Sequence, residues 1–229
     1  MDLHSAYLDW ITPDAEAVIA RHARVSTANP DRSEYAKLIN YCVRHFHWSV
    51  FEQASCAFEI LTTRAISPQI LRHRSMCFQE LSQRYTNPLT TLEVDEPPYL
   101  FSLRKQAVTN RQSSTELIDN QTRLDLQKRI EDLAYMTETL YRDMLDLGVA
   151  RECARNILPL YTPTRLHMSG TVRSFIHYVG LRGSSDTQAE HRQIALTMGR
   201  ALCHSLPIIT NTLKEIAPSE KSLSGWLYI

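Results

Sequence analysis

Residues 72–84 read RHRSMCFQELSQR, a run that opens with two guanidinium groups and an imidazole side by side and no matching acids. Three consecutive side chains cannot share one face of a helix or a strand, so Arg72, His73 and Arg74 point in different directions. Such an arrangement suits a turn whose side chains contact a large polyanion from several directions. Arginine supports this interpretation, because its planar fork binds phosphate or carboxylate through two parallel hydrogen bonds. A solvated surface turn with scattered ion pairs is the alternative.

The residues on either side of this run follow a recognisable order. Seven residues separate Arg74 from Ser82, and Arg84-Tyr85 comes next. Upstream lie HWSVFE at 47–52 and SPQIL at 67–71, and downstream lie Thr164-Arg165 and QAEHR at 188–192. This set resembles the signature of the flavin-dependent thymidylate synthases. The resemblance spans roughly residues 20 to 200 without a break, so we expect a single domain over residues 1–229.

Composition narrows the classes of protein. The 229 residues carry no net charge, whereas a protein bound to duplex nucleic acid would show a basic excess, so we expect no nucleic-acid partner. Of the 25 cationic residues only five are lysine, which fits specific binding of anionic groups. The five cysteines form no C-x-x-C pair, and no apolar run reaches the roughly 18 residues of a membrane span. We therefore expect a reduced, cytoplasmic chain that does not cross a membrane.

Hydrophobic spacing predicts most of the helices. Thr12 and Pro13 have the character of a cap and first residue for a helix that ends near residue 25. Asp31 and Glu34 have the spacing of a capping box, and apolar residues follow at three- and four-residue intervals up to Phe46. Further helices are predicted at residues 67–71, 115–147, 149–157, 171–179 and 188–217. Gly148 ends the helix at 115–147, and Pro159 stops the helix at 149–157. The helix at 188–217 is expected to be broken or kinked at Pro207.

Three stretches have the pattern of strands. Residues 55–63 are rich in β-branched and aromatic residues, and alternation places Cys56, Phe58 and Ile60 on one face. Residues 99–103 suit a short edge strand, and residues 165–169 suit another strand. Strands separated by long helices, with few βαβ units, indicate an α+β domain. The resemblance implies a central twisted β-sheet flanked by helices, in a homotetramer whose helices supply much of the subunit contact.

Two other kinds of ligand site fit the sequence less well. The six glycines build no G-x-G-x-x-G turn and no phosphate loop, so a dinucleotide must be held by side chains. A metal site could use His45 and His47 with His73 or His22. Residues two apart do not share a helical face, however, and no third ligand stands at a familiar spacing. We therefore expect no metal site.

A protein nucleophile is also weighed and set aside. Cys77 lies beside cationic residues that would activate a thiolate, but Met76 and Phe78 flank it, and a buried structural cysteine is the expected outcome. Ser82 has no evident His-Asp pair to activate it. We therefore expect no enzymic nucleophile.

The resemblance implies a site assembled from several segments. It gives Arg192 the catalytic role of polarising the uracil ring, and it places His47 in the vicinity of the folate and the flavin. The implied dUMP-binding residues are Gln69, Arg72, Glu80, Ser82, Arg84, Arg165 and Arg192. The implied FAD-binding residues are Ser26, Ser49, Arg72, His73, Arg74, Glu80, Arg182 and Thr187.

The resemblance also implies the reaction. It is an FAD- and NADPH-dependent methylation of dUMP to dTMP with 5,10-methylenetetrahydrofolate as one-carbon donor, in a homotetramer with shared active sites. Two alternatives stay open. One is a flavoprotein of the same fold that acts on a related nucleotide, and the other is a non-catalytic nucleotide- or RNA-binding module that uses the same arginines. A purely structural oligomer would not need the Arg-His-Arg turn.

Three positions depart from the family pattern. Gln53 stands where a His is usual, Gly180 where an Asn is frequent before Leu-Arg, and Asp186-Thr187-Gln188 where H-A-Q is common. These positions surround the implied flavin site and the loop that covers it. We therefore expect altered contacts to the flavin, while the arginines implied for dUMP are all present.

Overall fold

The computed structural model describes residues 2–29 and 31–229. Within these residues the strands form two β-sheets. The strands are β1 Ser5–Ile11, β2 Ser55–Thr63, β3 Cys77–Glu80, β4 Arg104–Gln106, β5 Ser114–Leu117 and β6 Pro163–Thr171. The larger sheet has the order β1-β2-β6-β3, and β4 pairs antiparallel with β5. In the small sheet Arg104 is opposite Leu117 and Gln106 is opposite Ser114, with a register shift between them.

Helices fill most of the chain between the strands. The α-helices are α1 Ala15–Ala23, α2 Ala36–Arg44, α3 Ser67–Ile70, α4 Pro88–Thr91, α5 Asn120–Asp146, α6 Arg151–Ala154, α7 Val172–Arg182, α8 Ala189–Ser205 and α9 Pro207–Ile216. The 3-10 helices are Trp48–Gln53, Arg155–Ile157, Ala217–Ser219 and Lys221–Tyr228. The expected α+β class, with a central sheet flanked by helices, is confirmed. In the described part of the chain no helix has the length and apolar character that a membrane crossing requires.

The chain divides into two compact units. The first unit comprises Leu61–Ile70 and Glu80–Leu166, together with the described residues up to Ser5. The second unit comprises Ala6–Ile60, Leu71–Gln79 and His167–Ile229. The Arg-His-Arg turn therefore belongs to the second unit, whereas Glu80, Ser82 and Arg84 belong to the first.

The second unit has a well-packed apolar core. Phe58 of β2 packs against Phe175 of α7, with ring centroids 5.1 Å apart. The indole N–H of Trp226 donates to the Ile176 carbonyl at 3.1 Å, which fastens the C-terminal 3-10 helix to α7. The start of α9 is capped from a distance, because the buried carboxylate of Glu16 accepts from the Ile209 N–H at 2.8 Å.

The first unit contains the long helix α5. Only Ala134 and Tyr141 of this 27-residue helix are buried. Asp119 caps it by accepting from the Thr122 N–H at 2.9 Å. Gly148 follows it with a φ of 81°, a left-handed conformation that glycine adopts without a steric cost. The predicted stop at Gly148 is thus confirmed.

Several predicted helix starts are wrong. Thr12 does not cap α1, because its hydroxyl donates to the Ser55 carbonyl at 3.1 Å, and Asp14 with a φ of 48° precedes the helix instead. The capping box at Asp31 and Glu34 is not used, because α2 begins only at Ala36 after Tyr35 and has no side-chain cap. In both places a contact or turn outside the helix outweighs the local signal. The apolar spacing of α2 itself is confirmed by the burial of Ile39, Cys42 and Val43.

Two of the three strand predictions are confirmed, and both confirmed strands belong to the larger sheet. β2 has the predicted bounds, and β6 extends the strand predicted at 165–169. Burial in β2 does not alternate as expected, since Ala57 and Leu61 are as buried as Phe58. Residues 99–103 contain no strand, and the helix predicted from residue 115 starts after β5. Short exposed strands pair through their backbone, so their side chains carry little signal. β1 and β3 of the larger sheet also went unpredicted.

Candidate active site

The Arg-His-Arg run forms a turn, as its sequence indicates. Arg72 and Arg74 are exposed, and His73 is half-buried. The backbone fixes the turn, because the Met76 N–H donates to the His73 carbonyl at 3.1 Å. The Ser174 hydroxyl of α7 donates to the Ser75 carbonyl at 3.3 Å and anchors the far side. Two guanidinium groups are thus displayed on a held backbone.

The imidazole of His73 has a defined protonation state. The Nε atom of Arg182 donates to Nε2 of His73 at 2.9 Å. A guanidinium has no acceptor, so Nε2 is the accepting nitrogen and the ring carries its proton on Nδ1. Burial, and then the charge of Arg182, lower the pKa of His73 from 6.5 to about 4. The turn therefore contains a neutral imidazole between two cations.

A buried polar pair lies behind this imidazole. The Tyr178 ring meets the His73 ring edge-on, with centroids 4.8 Å apart and an interplanar angle of 76°. The Tyr178 hydroxyl lies 3.0 Å from Nε2 of His191. Burial, the charge of Arg182 and His73 lower the pKa of His191 to about 3, and burial raises the pKa of Tyr178. Both groups are uncharged near neutral pH.

The loop after α7 has its own set of contacts. The Nε atom of Arg192 donates to the Gly183 carbonyl at 2.9 Å. The guanidinium carbon of Arg192 lies 4.4 Å from the centroid of the Tyr228 ring, a cation–π contact. The Thr187 hydroxyl donates to the Leu181 carbonyl at 3.3 Å. Arg192 thus connects this loop, through Gly183, to the C-terminal 3-10 helix, through Tyr228.

A cavity in the second unit contains one of the predicted flavin residues. Its volume is about 610 Å³, and Ser49 contributes to its wall. Ser26 directly follows the lining residue Val25. At the same wall Nδ1 of His22 lies 3.2 Å from the amide oxygen of Gln53, the residue that replaces a usual His. The lining residues are Arg21, His22, Ala23, Val25, Ser49, Val50 and Gln53.

His47 belongs to an exposed ring cluster at the end of α2. Its ring centroid lies 5.6 Å from that of Tyr41 and 6.1 Å from that of His45. Tyr41 and His45 stack with centroids 3.9 Å apart. Across the described residues, no group of three His, Cys, Asp or Glu side chains has the arrangement of a metal site. The cluster is thus an exposed aromatic surface on which the His47 ring stands edge-on to Tyr41 at an interplanar angle of 74°.

In the first unit Glu80 holds a set of polar contacts at the end of β3. Its carboxylate lies 2.5 Å from a terminal nitrogen of Arg64 and accepts from the Thr164 hydroxyl at 2.9 Å. The Leu81 N–H donates to the Arg165 carbonyl at 2.9 Å. These contacts bring Glu80 and Arg165 to adjacent positions on two neighbouring strands.

The residues that follow Glu80 are more open. The Ser82 Oγ accepts from the Arg84 N–H at 3.4 Å. The Arg84 Nε atom lies 3.7 Å from the carboxylate of Glu152, and both side chains are more than half exposed. Gln69 is half-buried on α3. Cys77, expected to be buried, is exposed at the first position of β3, so that expectation is wrong.

Comparison with known proteins decides the family. The model of the family described as "Thymidylate synthase complementing protein" matches residues 8–208. A flavin-dependent thymidylate synthase from Synechocystis is 43% identical over 199 residues, which cover 87% of this chain and 89% of that protein. The chain belongs to the flavin-dependent thymidylate synthases. A probable flavin-dependent thymidylate synthase of Paramecium bursaria Chlorella virus 1 is 42% identical over 203 residues, covering 87% and 90% of the two chains.

A solved structure shares the fold. A UMP/dUMP methylase from Streptomyces cacaoi, bound with 5-Br dUMP, superposes with a TM-score of 0.75 at 24% identity. The match covers 94% of this chain and 97% of that one. The α+β arrangement therefore extends to distant sequences.

One departure from the flavin-dependent thymidylate synthase pattern has a steric explanation. A Cβ atom at Gly180 would lie 2.5 Å from the Ser222 carbonyl oxygen and 3.1 Å from the Leu223 Cα. An asparagine there would therefore collide with the backbone of Lys221–Tyr228. That segment lies beyond the stretch that matches the family model, so this chain uses the position to pack its own C-terminal end.

The structure brings together some of the implied residues of this flavin-dependent thymidylate synthase and separates others. Arg182 donates to His73, while Arg192 donates to the Gly183 carbonyl and lies over the Tyr228 ring. Sequence reasoning assigned no role to Tyr178, His191, Arg64 or Thr164. Polar residues in a predicted helix or strand resemble surface or core positions until a tertiary partner is known. Their only signal was that His191 and Thr164 belong to the recognised motifs.

Proposed function

We propose that this chain converts dUMP to dTMP, with 5,10-methylenetetrahydrofolate as one-carbon donor, NADPH as reductant and FAD as cofactor. The observation that carries the proposal is the match over residues 8–208 to a family whose relatives, 43% and 42% identical, bear the name flavin-dependent thymidylate synthase. A thymidylate synthase makes dTMP from dUMP, and the name specifies a flavin.

The residues present fit FAD. The exposed guanidinium groups of Arg72 and Arg74 suit a pyrophosphate, and the neutral His73 ring offers an Nδ1–H donor. The cavity beside Ser49, at about 610 Å³, lies within the range of cofactor pockets. We assign Ser26, Arg182 and Thr187 to the same cofactor. Bound FAD would supply the redox chemistry, since it accepts hydride from NADPH and no protein side chain transfers hydride.

The first unit supplies groups for the nucleotide. We assign the phosphate to Ser82 and Arg84, because the Ser82 hydroxyl lies beside the Arg84 backbone N–H, the Arg84 guanidinium is more than half exposed, and a phosphate dianion accepts several hydrogen bonds. We assign Gln69, Glu80 and Arg165 to the same substrate, with Glu80 also implied for FAD. Arg64 and Thr164 hold the Glu80 carboxylate in one orientation. This support would let Glu80 accept hydrogen bonds from a ligand without moving.

One further group must stabilise negative charge on the uracil ring. A guanidinium at the O2/N3 edge would favour the ionised ring and make its carbons more reactive. The sequence assigns this role to Arg192. We keep Arg192 in this role. The Nε atom of Arg192 donates to a backbone carbonyl, just as the Nε atom of Arg182 donates to His73, so these contacts do not displace it, and Arg182 is the alternative. His47, on its exposed aromatic surface, is assigned to the folate and flavin vicinity.

We also propose a homotetramer with shared active sites in the cytoplasm, formed by one domain over residues 1–229. The family match runs through both compact units, which supports one functional domain. Exposed apolar side chains on α5 support the assembly. Leu133, Met136 and Leu140 share one face of the helix, and Leu124 and Tyr135 lie on the opposite face. Light scattering after size exclusion measures the number of subunits directly.

The first test is the visible absorption spectrum of the purified protein, followed by a dTMP-formation assay with dUMP, methylenetetrahydrofolate, NADPH and FAD. We expect a retained flavin band and dTMP formation that stops when any one substrate is left out. Activity on another pyrimidine nucleotide in place of dUMP would favour a related methylase or reductase. Colourless protein that binds RNA with a steep salt dependence would instead indicate a binding module.

A further inference from the structure

The buried side of the His73 ring is lined by residues that the proposed reaction does not use. Tyr178 meets that ring edge-on, and its hydroxyl lies 3.0 Å from Nε2 of His191. Tyr178 is 1% exposed and His191 is 0% exposed. A polar pair closed off from solvent therefore lies directly behind a residue assigned to the flavin.

This pair carries a cost that simple packing would avoid. Nδ1 of His191 is inaccessible and has no hydrogen-bond partner among the residues that the structure describes. An unpaired buried polar atom destabilises the fold, and an apolar side chain of similar shape would not. The polar pair is thus better explained by a positional role than by filling space.

Two separate constraints act on the His73 ring. Arg182 donates to Nε2 and so selects the Nδ1–H tautomer. Tyr178 restrains the plane of the ring, because its own ring is fixed at the far end by the bond to His191. Neither constraint alone fixes both the position of the proton and the direction in which it points.

We propose that Tyr178 and His191 are positioning residues that hold the His73 ring so that its Nδ1–H faces an acceptor atom of the bound flavin. The flavin contact rests on the proposed function, whereas the tautomer and the order of the ring are properties of the protein alone. Arg182, Tyr178 and His191 are the titratable groups in contact with this ring or with its immediate neighbour.

The protein part is tested by nitrogen-15 NMR of labelled histidines in the full-length protein near neutral pH, with the His73 signals identified by their loss in His73→Gln. We expect wild-type His73 to be a single neutral Nδ1–H tautomer. Tyr178→Phe and His191→Leu should give averaged nitrogen shifts, because the freed ring exchanges between orientations. His191→Gln should restore the wild-type pattern, since its amide can still bond to the Tyr178 hydroxyl.

Tyr141→Phe is the matched control. Tyr141 is fully buried in the first unit, and its hydroxyl has no hydrogen-bond partner among the described residues. Removing that hydroxyl should leave the His73 signals unchanged. A charged or Nε2–H His73 in the wild type, or unchanged His73 signals in both Tyr178→Phe and His191→Leu, would overturn the proposal.

The flavin part is tested by turnover. Tyr178→Phe should lower kcat for dTMP formation about tenfold, the lower end of what outer-shell partners of metal-bound histidines contribute, with KM for dUMP unchanged. A higher KM for dUMP with kcat unchanged in Tyr178→Phe, or an equal fall in kcat in Tyr141→Phe, would overturn it. If the NMR pattern is as expected but the wild type neither retains flavin nor makes dTMP, the proposed function fails and the flavin contact fails with it, while the ordering of His73 stands.

Discussion

Arg182 and Arg192 are the same residue type in the same unit, and the structure gives them different neighbours. Arg182, at the end of α7, donates to an imidazole in the Arg-His-Arg turn. Arg192, in α8, donates to a backbone carbonyl and lies over an aromatic ring of the C-terminal segment. The first arginine contacts the turn that we assign to the flavin, and the second connects a loop to the C-terminal 3-10 helix. Proximity to a motif in sequence therefore does not settle which guanidinium acts on substrate.

The largest expected effect separates these two arginines directly. At saturating FAD, Arg192→Ala should lower the rate of dTMP formation by about 10²–10³-fold, the scale for one lost donor at a developing charge. Arg182→Ala should lower that rate much less, because excess FAD offsets weaker cofactor binding. Turnover of both variants, measured with saturating substrates, tests this. Arg200→Ala, which removes an exposed arginine of α8, is the control. A greater loss in Arg182→Ala at saturating FAD would transfer the catalytic role to Arg182.

The carboxylates of Glu80 and Glu152 offer a second comparison, because the first lies in a partly buried ion pair and the second in an exposed one. Glu80→Gln should lower the free energy of unfolding by about 1.5–3 kcal/mol, because it weakens a charged hydrogen bond to the partly buried Arg64. Urea denaturation measures this. Glu152→Gln breaks only the exposed contact to Arg84 and should cost about 0–1 kcal/mol. Equal costs would mean that Glu80 is not structurally engaged.

The pair behind His73 predicts a dependence of stability on pH. His191 has a pKa of about 3 in the folded chain and about 6.5 when unfolded, so the unfolded state takes up the proton first. Its contribution is fully present above 6.5 and is lost as pH falls towards 3. Between about pH 7.5 and 5.5 the loss should be about 1.4 kcal/mol from this residue.

His191→Gln should reduce this loss by the same amount, as measured by urea denaturation at several pH values. His204→Gln removes a more exposed histidine of α8 and should leave the slope unchanged. A slope that does not change in His191→Gln would show that His191 titrates alike in both states.

The smallest expected effect concerns the support of Arg192. A double-mutant cycle with Arg192→Ala and Tyr228→Ala should give a coupling free energy of about 0.5–1 kcal/mol, since Tyr228 is partly exposed. Denaturation of the two single variants and the double variant measures it. Zero coupling would indicate that the Arg192 guanidinium leaves the ring in solution and is available to a ligand.

Much of the fold followed from local patterns. The bounds of β2, the apolar face of α2, the stop at Gly148 and the break at Pro207 were all predicted correctly. Each depends on short-range physics, which a sequence displays directly: β-branched residues favour strands, glycine favours a left-handed turn, and proline interrupts a helix. The starts of α1 and α2 failed because Thr12 and the residues around Tyr35 follow tertiary contacts and turns rather than their capping potential.

The sequence by itself determined the family and the inventory of groups, since the order of its motifs survives without coordinates. Only the tertiary structure decided which of those groups meet. It paired Arg182 with His73 across a long stretch of chain, placed Tyr178 and His191 behind that ring, and gave Arg192 to Gly183 and Tyr228. The physical reason is that hydrogen bonds and ring contacts act over a few ångströms in space, and separation along the chain does not report that distance.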